Sequence, residues 1–159
     1  MVKVLFVCLG NICRSPTAEV VFKRKLEEAK LSNTVHVESA GTHAYHVGAP
    51  PDRRAQSAAA QRGIDMSALR GRQATRHDFG KFDYILAMDR ENLENLKDIC
   101  PRDSQATLGL FLGYANAFTE TEVPDPYYGG PGGFDHVLDL IEDASIGLLK
   151  DIKKGLDAP

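Results

Sequence analysis

The chain has 159 residues, of which 43% are hydrophobic and 26% are charged, as in ordinary globular proteins. This length suits one domain, expected over residues 1–157, with a single well-covered core. The net charge of −3 and the pI near 5.9 exclude a generally basic face for nucleic acid, so an anion would have to be recognised by a local loop.

Targeting and redox features both indicate a cytoplasmic protein. The chain enters a predicted strand directly after Met1 without the pattern of a signal peptide, and no apolar run reaches the ~18 residues needed to span a bilayer. Its three cysteines are odd in number and too few for a disulfide framework. We therefore expect a reduced, cytoplasmic protein that binds neither membranes nor nucleic acid.

The first predicted elements are a strand, a tight loop and a helix. Residues 2–7 are apolar and β-branched, which is typical of a buried parallel strand. Ser15 and Pro16 then open a helix, because proline near a helix start loses no hydrogen bond. Residues 35–39 alternate well enough to predict a second strand.

The rest of the chain continues to alternate between helices and strands. The further predicted elements are a helix over 52–62 capped by Asp52, a short helix or turn near 72–73, a strand over 82–88, a helix over 90–99, a strand over 107–112, an irregular segment over 115–133 and a helix over 134–153. Strands separated by helices predict a parallel sheet covered on both faces. Such sheets bind ligands at the carboxyl ends of their strands, where Cys8, Asp89 and the segment 124–133 should meet.

Residues 8–15, the Cys8 loop, have the composition of an anion-binding loop. A loop of this length can aim its backbone N–H groups at one tetrahedral oxyanion, and the following helix adds its positive end. Arg14 supplies a planar fork of donors for phosphate oxygens. Gly10 allows a close backbone approach, and Asn11 tolerates the left-handed conformation.

Cys8 itself is the predicted nucleophile, although an isolated cysteine at a strand end is more often a small core residue. The helix N-terminus, the N–H donors and the guanidinium all favour the charged sulfur. Ser15 can donate its hydroxyl to that sulfur or cap the helix. Leu9 and Ile12 can form apolar walls for a flat ring.

Asp125 is the predicted proton donor for the departing oxygen, with an exposed turn residue as the alternative. It lies between two prolines, and a residue before proline is held extended, which fixes the direction of its carboxyl group. A general acid contributes ~10²–10⁴-fold to a rate. Tyr127 and Tyr128 follow directly, and at least one of them could stack against an aromatic substrate.

Two separated motifs carry a family resemblance. Residues 7–19, VCLGNICRSPTAE, and residues 125–129, DPYYG, resemble the low-molecular-weight protein tyrosine phosphatases, and the similarity extends over nearly the whole chain. This resemblance implies a single flavodoxin-like α/β domain, with a four-stranded parallel sheet and helices on both faces. It also implies hydrolysis of phosphotyrosine through a phosphocysteine intermediate, without a metal or another cofactor.

The resemblance assigns a role to each catalytic position. Cys8 attacks the phosphorus, Arg14 binds the equatorial oxygens, and Asp125 protonates the tyrosyl oxygen before it deprotonates the attacking water. The implied substrate-binding residues are Leu9, Gly10, Asn11, Ile12, Cys13, Ser15, Tyr127 and Tyr128, with Tyr45 or His46 as a further rim.

The same resemblance implies partners and a redox reaction. Tyrosine-phosphorylated proteins are the implied substrates, and phosphate or other oxyanions are the product or inhibitors. The protein is expected to be mostly monomeric, with weak dimerisation as an open alternative. A reversible Cys8–Cys13 disulfide would protect the nucleophile from over-oxidation, while a structural thiol is the alternative role for Cys13. Cys100 is expected to be inert.

In one place the chain departs from the family pattern. Relatives carry a histidine after the stretch matching Met66 and Ser67, where it supports the asparagine of the loop, but this chain has Ala-Leu-Arg at 68–70. The support of Asn11 is therefore open, with backbone groups or His77 as the alternatives. For Asp89, a helix cap is favoured over a hydrogen bond to the site.

Three other functions compete with a tyrosine phosphatase. An arsenate reductase needs a redox cysteine pair in the middle of the chain, where only Cys100 is present. Arginine-phosphate phosphatases tend to carry threonine at the position of Ile12. A module that binds phosphotyrosine without cleaving it would not require both Cys8 and Asp125.

Overall fold

A parallel sheet with helices on both faces forms the framework of the computed structural model, which describes residues 1–126 and 132–157. The elements in chain order are β1 (Val2–Cys8), α1 (Arg14–Glu28), β2 (Val35–Gly41), α2 (Arg53–Gln61), α3 (Asp78–Lys81), β3 (Tyr84–Ala87), α4 (Arg90–Ile99), β4 (Thr107–Leu110), a 3₁₀-helix (Phe111–Tyr114) and α5 (Gly133–Asp157). The four strands are ordered β2-β1-β3-β4, and all are parallel. The predicted α/β fold is confirmed.

The central strand β1 has a core on each of its faces. Val4 and Phe6 pack with α1 and α5, whereas Leu5 and Val7 pack with apolar side chains of the opposite face. All four side chains are fully buried. Because successive residues of a strand point to opposite faces, a strand covered on both sides must be apolar throughout. This arrangement accounts for the continuous apolar run that leads into Cys8.

The prediction of a short helix or turn near residues 72–73 is wrong. Gln73 instead forms a parallel bridge with Gly41, and the short helix lies at Asp78–Lys81. The Gly41 N–H donates to the Arg72 carbonyl (2.8 Å), and the Ala74 N–H donates to the Gly41 carbonyl (2.8 Å). These bonds hold the segment extended beside β2, a partnership that local sequence does not reveal.

The helix starts agree with prediction in two cases and differ in one. Asp52 caps α2 by accepting from Arg54 N (2.8 Å) and Ala55 N (3.3 Å), as expected. Asp89 caps α4 in the same way. Ser15, however, is not the cap of α1, because that helix begins at Arg14 and its N-cap position is Cys13. The Ser15 hydroxyl therefore points into the Cys8 loop.

Residues 115–126, the Asp125 loop, run from the 3₁₀-helix to the edge of the sheet that carries Cys8. The Val123 N–H donates to the Met88 carbonyl at the end of β3 (2.8 Å), which fixes the loop beside that strand. No helix within residues 1–126 and 132–157 is both long and apolar enough to cross a membrane.

Candidate active site

The Cys8 loop and the Asp125 loop meet at the carboxyl edge of the sheet. Between them lies a cavity of about 120 Å³. The residues that line it are Cys8, Leu9, Gly10, Ile12, Cys13, Arg14, His46 and Asp125. The cysteine, arginine and aspartate that the sequence singled out therefore share one cavity, although Asp125 lies far from the other two in the chain.

The peptide groups of the Cys8 loop are oriented by donors outside it. The bonds are Thr42 N to the Cys8 carbonyl (2.9 Å), His43 N to the Leu9 carbonyl (3.0 Å) and Asp52 N to the Ile12 carbonyl (2.7 Å). In a planar trans peptide the N–H points opposite to the carbonyl. The N–H groups that follow these three carbonyls are therefore turned into the loop, where they can bind an anion.

Cys8 lies at the floor of the loop, and the residue is only 3% exposed. Asn11 N donates to Sγ at 3.3 Å, and Ser15 Oγ lies 3.0 Å from the same atom. The sulfur also faces the start of α1, whose unpaired N–H groups carry partial positive charge. The Asn11 N–H, a Ser15 hydroxyl that donates and the start of α1 would all place positive charge near the sulfur, which is what a nucleophilic thiolate requires.

Asn11 adopts the expected left-handed conformation, with φ of 57°. Its side-chain Nδ2 donates to Ser15 Oγ (2.8 Å) and Ser39 Oγ (3.0 Å), while its Oδ1 accepts from the backbone N–H of Arg72 (3.0 Å). Of the two alternatives for the support of Asn11, a backbone N–H is present, and His77 is not among these partners. The hydrogen bonds that join Ser39 and Arg72 to the Asn11 side chain were not predicted.

Arg14 is buried and oriented by two acceptors. Its Nη1 donates to Asp89 Oδ2 (2.7 Å) and to the Val123 carbonyl (3.0 Å). Burial alone would lower the pKa of Arg14, but the Cys8 sulfur, Asp89 and Asp125 together raise it. Within residues 1–126 and 132–157, Nε and Nη2 make no hydrogen bond, so they are available to phosphate oxygens. Asp89 therefore caps a helix and also orients the guanidinium.

Cys13 differs from Cys8 in its surroundings. Burial raises the pKa of the Cys13 thiol, and the negative charge of Cys8 and Asp52 raises it further. A buried neutral thiol is a poor nucleophile, so the two cysteines of the loop are chemically distinct. Both are free thiols in the structure.

Two glycine contacts hold the Cys8 loop close to its neighbours. A Cβ built on Gly41, at the end of β2, would lie 2.8 Å from the Leu9 carbonyl oxygen and 3.1 Å from Asn11 N. A Cβ on Gly10 would lie 3.0 Å from the ring of His46. The close approach at Gly10 was expected, whereas the one at Gly41 follows from a strand pairing that local sequence does not reveal. In the sequence, the one feature that marks Gly41 is its position shortly after a predicted strand.

The predicted aromatic rim has a mixed outcome. Tyr127 and Tyr128 lie outside the described residues. Of the two further rim candidates, His46 lines the cavity, whereas Tyr45 is 82% exposed and does not. A larger cleft of about 620 Å³ lies beside α2, but neither a cysteine nor Asp125 lines it. Within residues 1–126 and 132–157 no group of three histidine, cysteine or carboxylate side chains is arranged to bind a metal.

Comparisons with known proteins agree with this geometry. The family described as low molecular weight phosphotyrosine protein phosphatase matches residues 3–158. A low molecular weight phosphotyrosine protein phosphatase of Schizosaccharomyces pombe is 44% identical over 152 residues, which cover 95% of this chain and 97% of that protein.

Solved structures are similar over almost the entire chain. A protein tyrosine phosphatase from Entamoeba histolytica, with Hepes in its active site, has a TM-score of 0.93 and 41% identity and covers 98% of this chain and 99% of its own. A Drosophila arginine phosphatase has a TM-score of 0.87 and 34% identity, covering 95% and 98%. This chain therefore belongs to the low molecular weight phosphotyrosine protein phosphatase family.

Proposed function

We propose that this protein is a protein-tyrosine phosphatase that transfers the phosphoryl group through Cys8. The observation that carries the proposal is the shared cavity of Cys8, Arg14 and Asp125, with loop N–H groups turned inward. A nucleophile, a cationic fork and a proton donor are the three groups that metal-independent hydrolysis of an aryl phosphate needs.

In the first step, the Cys8 thiolate attacks phosphorus and the bond from phosphorus to the tyrosyl oxygen breaks. Asp125, as the carboxylic acid, gives its proton to the departing oxygen, so that tyrosine leaves neutral. Arg14 and the inward N–H groups stabilise the charge on the three equatorial oxygens. The products of this step are tyrosine, phosphocysteine and the Asp125 carboxylate.

In the second step, water attacks the phosphorus and Asp125 takes up a proton from it. The P–S bond breaks, inorganic phosphate is released and the Cys8 thiolate returns. Ser15 Oγ, 3.0 Å from Sγ, can direct its hydrogen to the sulfur as it departs. Every group then has its starting charge, so the cycle is complete.

The substrate class is argued from the walls of the cavity. Leu9 and Ile12 are apolar and line it together with the His46 ring, which suits a flat aromatic group. Tyr127 and Tyr128 are proposed to add aromatic walls. Arginine phosphate is a second candidate because of the likeness to the Drosophila arginine phosphatase, and Ile12 argues against it.

Hydrolysis of an aryl phosphate without added metal tests the chemistry. Cys8→Ser should abolish turnover, and Asp125→Ala should lower kcat ~10²–10⁴-fold. Full activity of Cys8→Ser would refute the mechanism. Comparison of phosphotyrosine with phosphoarginine tests the substrate, and faster hydrolysis of phosphoarginine would transfer the proposal to the arginine class.

The proposed setting follows from the chemistry. The natural substrates would be tyrosine-phosphorylated proteins, and inorganic phosphate and other oxyanions would be product or inhibitors. A catalytic thiolate and three free cysteines favour the reducing cytoplasm. We propose a mostly monomeric enzyme, with weak association as the alternative, and a Cys8–Cys13 disulfide as a protective oxidised form.

A further inference from the structure

The conformation of Asn11 depends on a residue far away in the chain. A left-handed φ is unfavourable for a residue other than glycine, and it persists where the surroundings hold it. The Asn11 side chain donates from Nδ2 to Ser15 Oγ and Ser39 Oγ, and it accepts one bond from the backbone N–H of Arg72. The bond to Arg72 is the one that Oδ1 accepts.

The Arg72 side chain is also held by hydrogen bonds. Its guanidinium donates to both carboxylate oxygens of Asp78, at 3.0 and 3.2 Å, and to Glu38 Oε1 at 3.3 Å. The side chain of Asp78 is only 8% exposed, and its Oδ2 also accepts from Thr75 N (2.8 Å). A two-point bond between a guanidinium and a buried carboxylate fixes direction as well as distance.

The ion pairs therefore join three parts of the chain. Glu38 is in β2, directly before Ser39, and Asp78 begins α3. Arg72 lies between them and is hydrogen-bonded to Gly41 through its carbonyl (2.8 Å). The guanidinium thus holds the extended segment against the end of β2, where its N–H reaches Asn11.

We infer that Arg72, fixed by Asp78 and Glu38, is a positioning residue for the active-site loop and acts through Asn11. The inference rests on the proposed function, because the loop shape matters only if Cys8 and the inward N–H groups react with phosphate. Arg72 would make no contact with the phosphorus atom of the substrate. Removal of its guanidinium would let the segment shift, and a misplacement of about 1 Å at a reacting group can lower a rate ~10²-fold.

A double-mutant cycle on the full-length protein tests whether the effect passes through Asn11. Arg72→Met keeps the aliphatic stem and removes the ion pairs. We expect kcat for p-nitrophenyl phosphate to fall about tenfold, with KM changed by less than about threefold. In an Asn11→Ala background, the same substitution should cause no further loss, because its target has already been removed.

Lys81→Met is the matched control. Lys81 binds Glu38 (3.0 Å) within the same cluster but has no bond to Arg72, so its removal should leave kcat unchanged. Arg72→Lys, which keeps one ion pair with Asp78, should recover part of the kcat lost in Arg72→Met. This variant also replaces Arg72→Met in the test if Arg72→Met does not fold. NMR signals of the Asn11 side-chain amide should move in Arg72→Met but not in Lys81→Met.

Three kinetic results would overturn the inference. They are wild-type kcat in Arg72→Met, losses that multiply in the double variant, and an equal loss in Lys81→Met. Because the NMR signals need no catalysis, they test the inference even if the wild-type protein proves inactive. An inactive wild type would refute the proposed function alone, whereas an unchanged Asn11 signal would refute the positioning role alone.

Discussion

At the scale of single residues, the Cys8 loop is ordered by contacts that lie outside the cavity. Arg14 is directed by Asp89 and by the Val123 carbonyl, so its guanidinium has a fixed orientation before any substrate binds. Donors that are already oriented need no rearrangement as charge develops in the transition state. Preorganisation of this kind is the main contribution expected from the residues around the site.

Gly41 gives a residue-level prediction. Gly41→Ala would bring a methyl group to 2.8 Å from the Leu9 carbonyl oxygen and 3.1 Å from Asn11 N, so the Cys8 loop has to move. We expect kcat for an aryl phosphate to fall ~10²-fold, as for a displacement of about 1 Å. Steady-state kinetics together with a thermal unfolding curve would separate the loss of activity from a loss of folding.

Gly80→Ala is the control for this substitution. A Cβ at Gly80 has no heavy atom within 4 Å, so activity should remain at the wild-type level. Equal activity in Gly41→Ala and Gly80→Ala would contradict the role given to the close contact.

Sequence could predict the residues of the site better than the contacts that hold them. Cys8, Arg14 and Asp125 are recognisable because their chemistry is unusual at strand ends and between prolines. Gly41 and Arg72 act through a missing Cβ and a backbone N–H, which local composition does not reveal. Their importance depends on which distant segments become neighbours.

At the scale of elements, the Asp125 loop is attached to two helices. Near its start, the Asp143 carboxylate of α5 accepts from three successive N–H groups, those of residues 116, 117 and 118, at 3.0–3.2 Å. Near its end, Glu122 accepts from the backbone N–H of Arg90 at the start of α4 (2.8 Å). Burial would raise the pKa of Asp143, but the hydrogen bonds from Ala117 and its neighbours lower it.

Removal of the Asp143 carboxylate should loosen this loop. Hydrogen bonds to a charged group contribute ~1.5–3 kcal/mol each, and exposure of the site reduces that figure, so we expect Asp143→Ala to lower the free energy of unfolding by about 1–3 kcal/mol. The rate with phenyl phosphate should fall severalfold, because this poor leaving group needs a well-placed acid. Urea unfolding and kcat measure the two effects.

Asp139→Ala controls for the loss of a negative charge on the same helix. Asp139 pairs with Arg62 at 3.0 Å and is half exposed, so its removal should leave the rate with phenyl phosphate unchanged. If both variants lose the same rate, the anchoring role of Asp143 is wrong.

Elements were predicted most accurately where pattern and length agree. The periodic pattern of α4, with Asp89 before it, identified both the helix and its cap. The short helix or turn predicted near residues 72–73 is absent because the bridge to Gly41, some thirty residues earlier, decides that conformation. Boundaries at β3 and β4 were predicted too long, since strand pairing ends before the apolar runs do.

At the scale of the whole molecule, the parallel sheet brings the ends of β1, β2 and β3 to one edge. Cys8, Gly41 and the residues after Ala87 therefore meet without a dedicated motif for each. The ion pairs of Arg72 with Glu38 and Asp78 fasten β2 to the segment before β3 on the same side. The same ion pairs therefore contribute to the stability of the fold and to the position of the segment that binds Asn11.

Glu38 predicts a dependence of stability on pH. Burial would raise the pKa of Glu38, but hydrogen bonds from His36 and Lys81 and the charge of Arg72 outweigh it and lower the pKa to about 2. In the unfolded chain a glutamate titrates near ~4.3. Because the folded pKa is the lower one, the stabilisation is present above ~4.3 and is lost as the pH falls towards about 2.

Urea unfolding of wild type and Glu38→Gln over this range measures the contribution. Near pH ~6 the wild type should be the more stable, and the gap should narrow steadily below pH ~4.3. A gap that stays constant down to pH ~2 would show that Glu38 stabilises the fold without its charge.

Trapping of the phosphocysteine intermediate is the most direct test of whether Cys8 carries the phosphoryl group. The protein is mixed with an aryl phosphate that carries a radiolabelled phosphoryl group, quenched in acid within milliseconds and digested. If the phosphoryl group passes through Cys8, the peptide that contains Cys8 should be labelled in the wild type and in Asp125→Ala. No labelled peptide should form in Cys8→Ser. Label on any other residue, or turnover without a labelled protein, would contradict this role of Cys8.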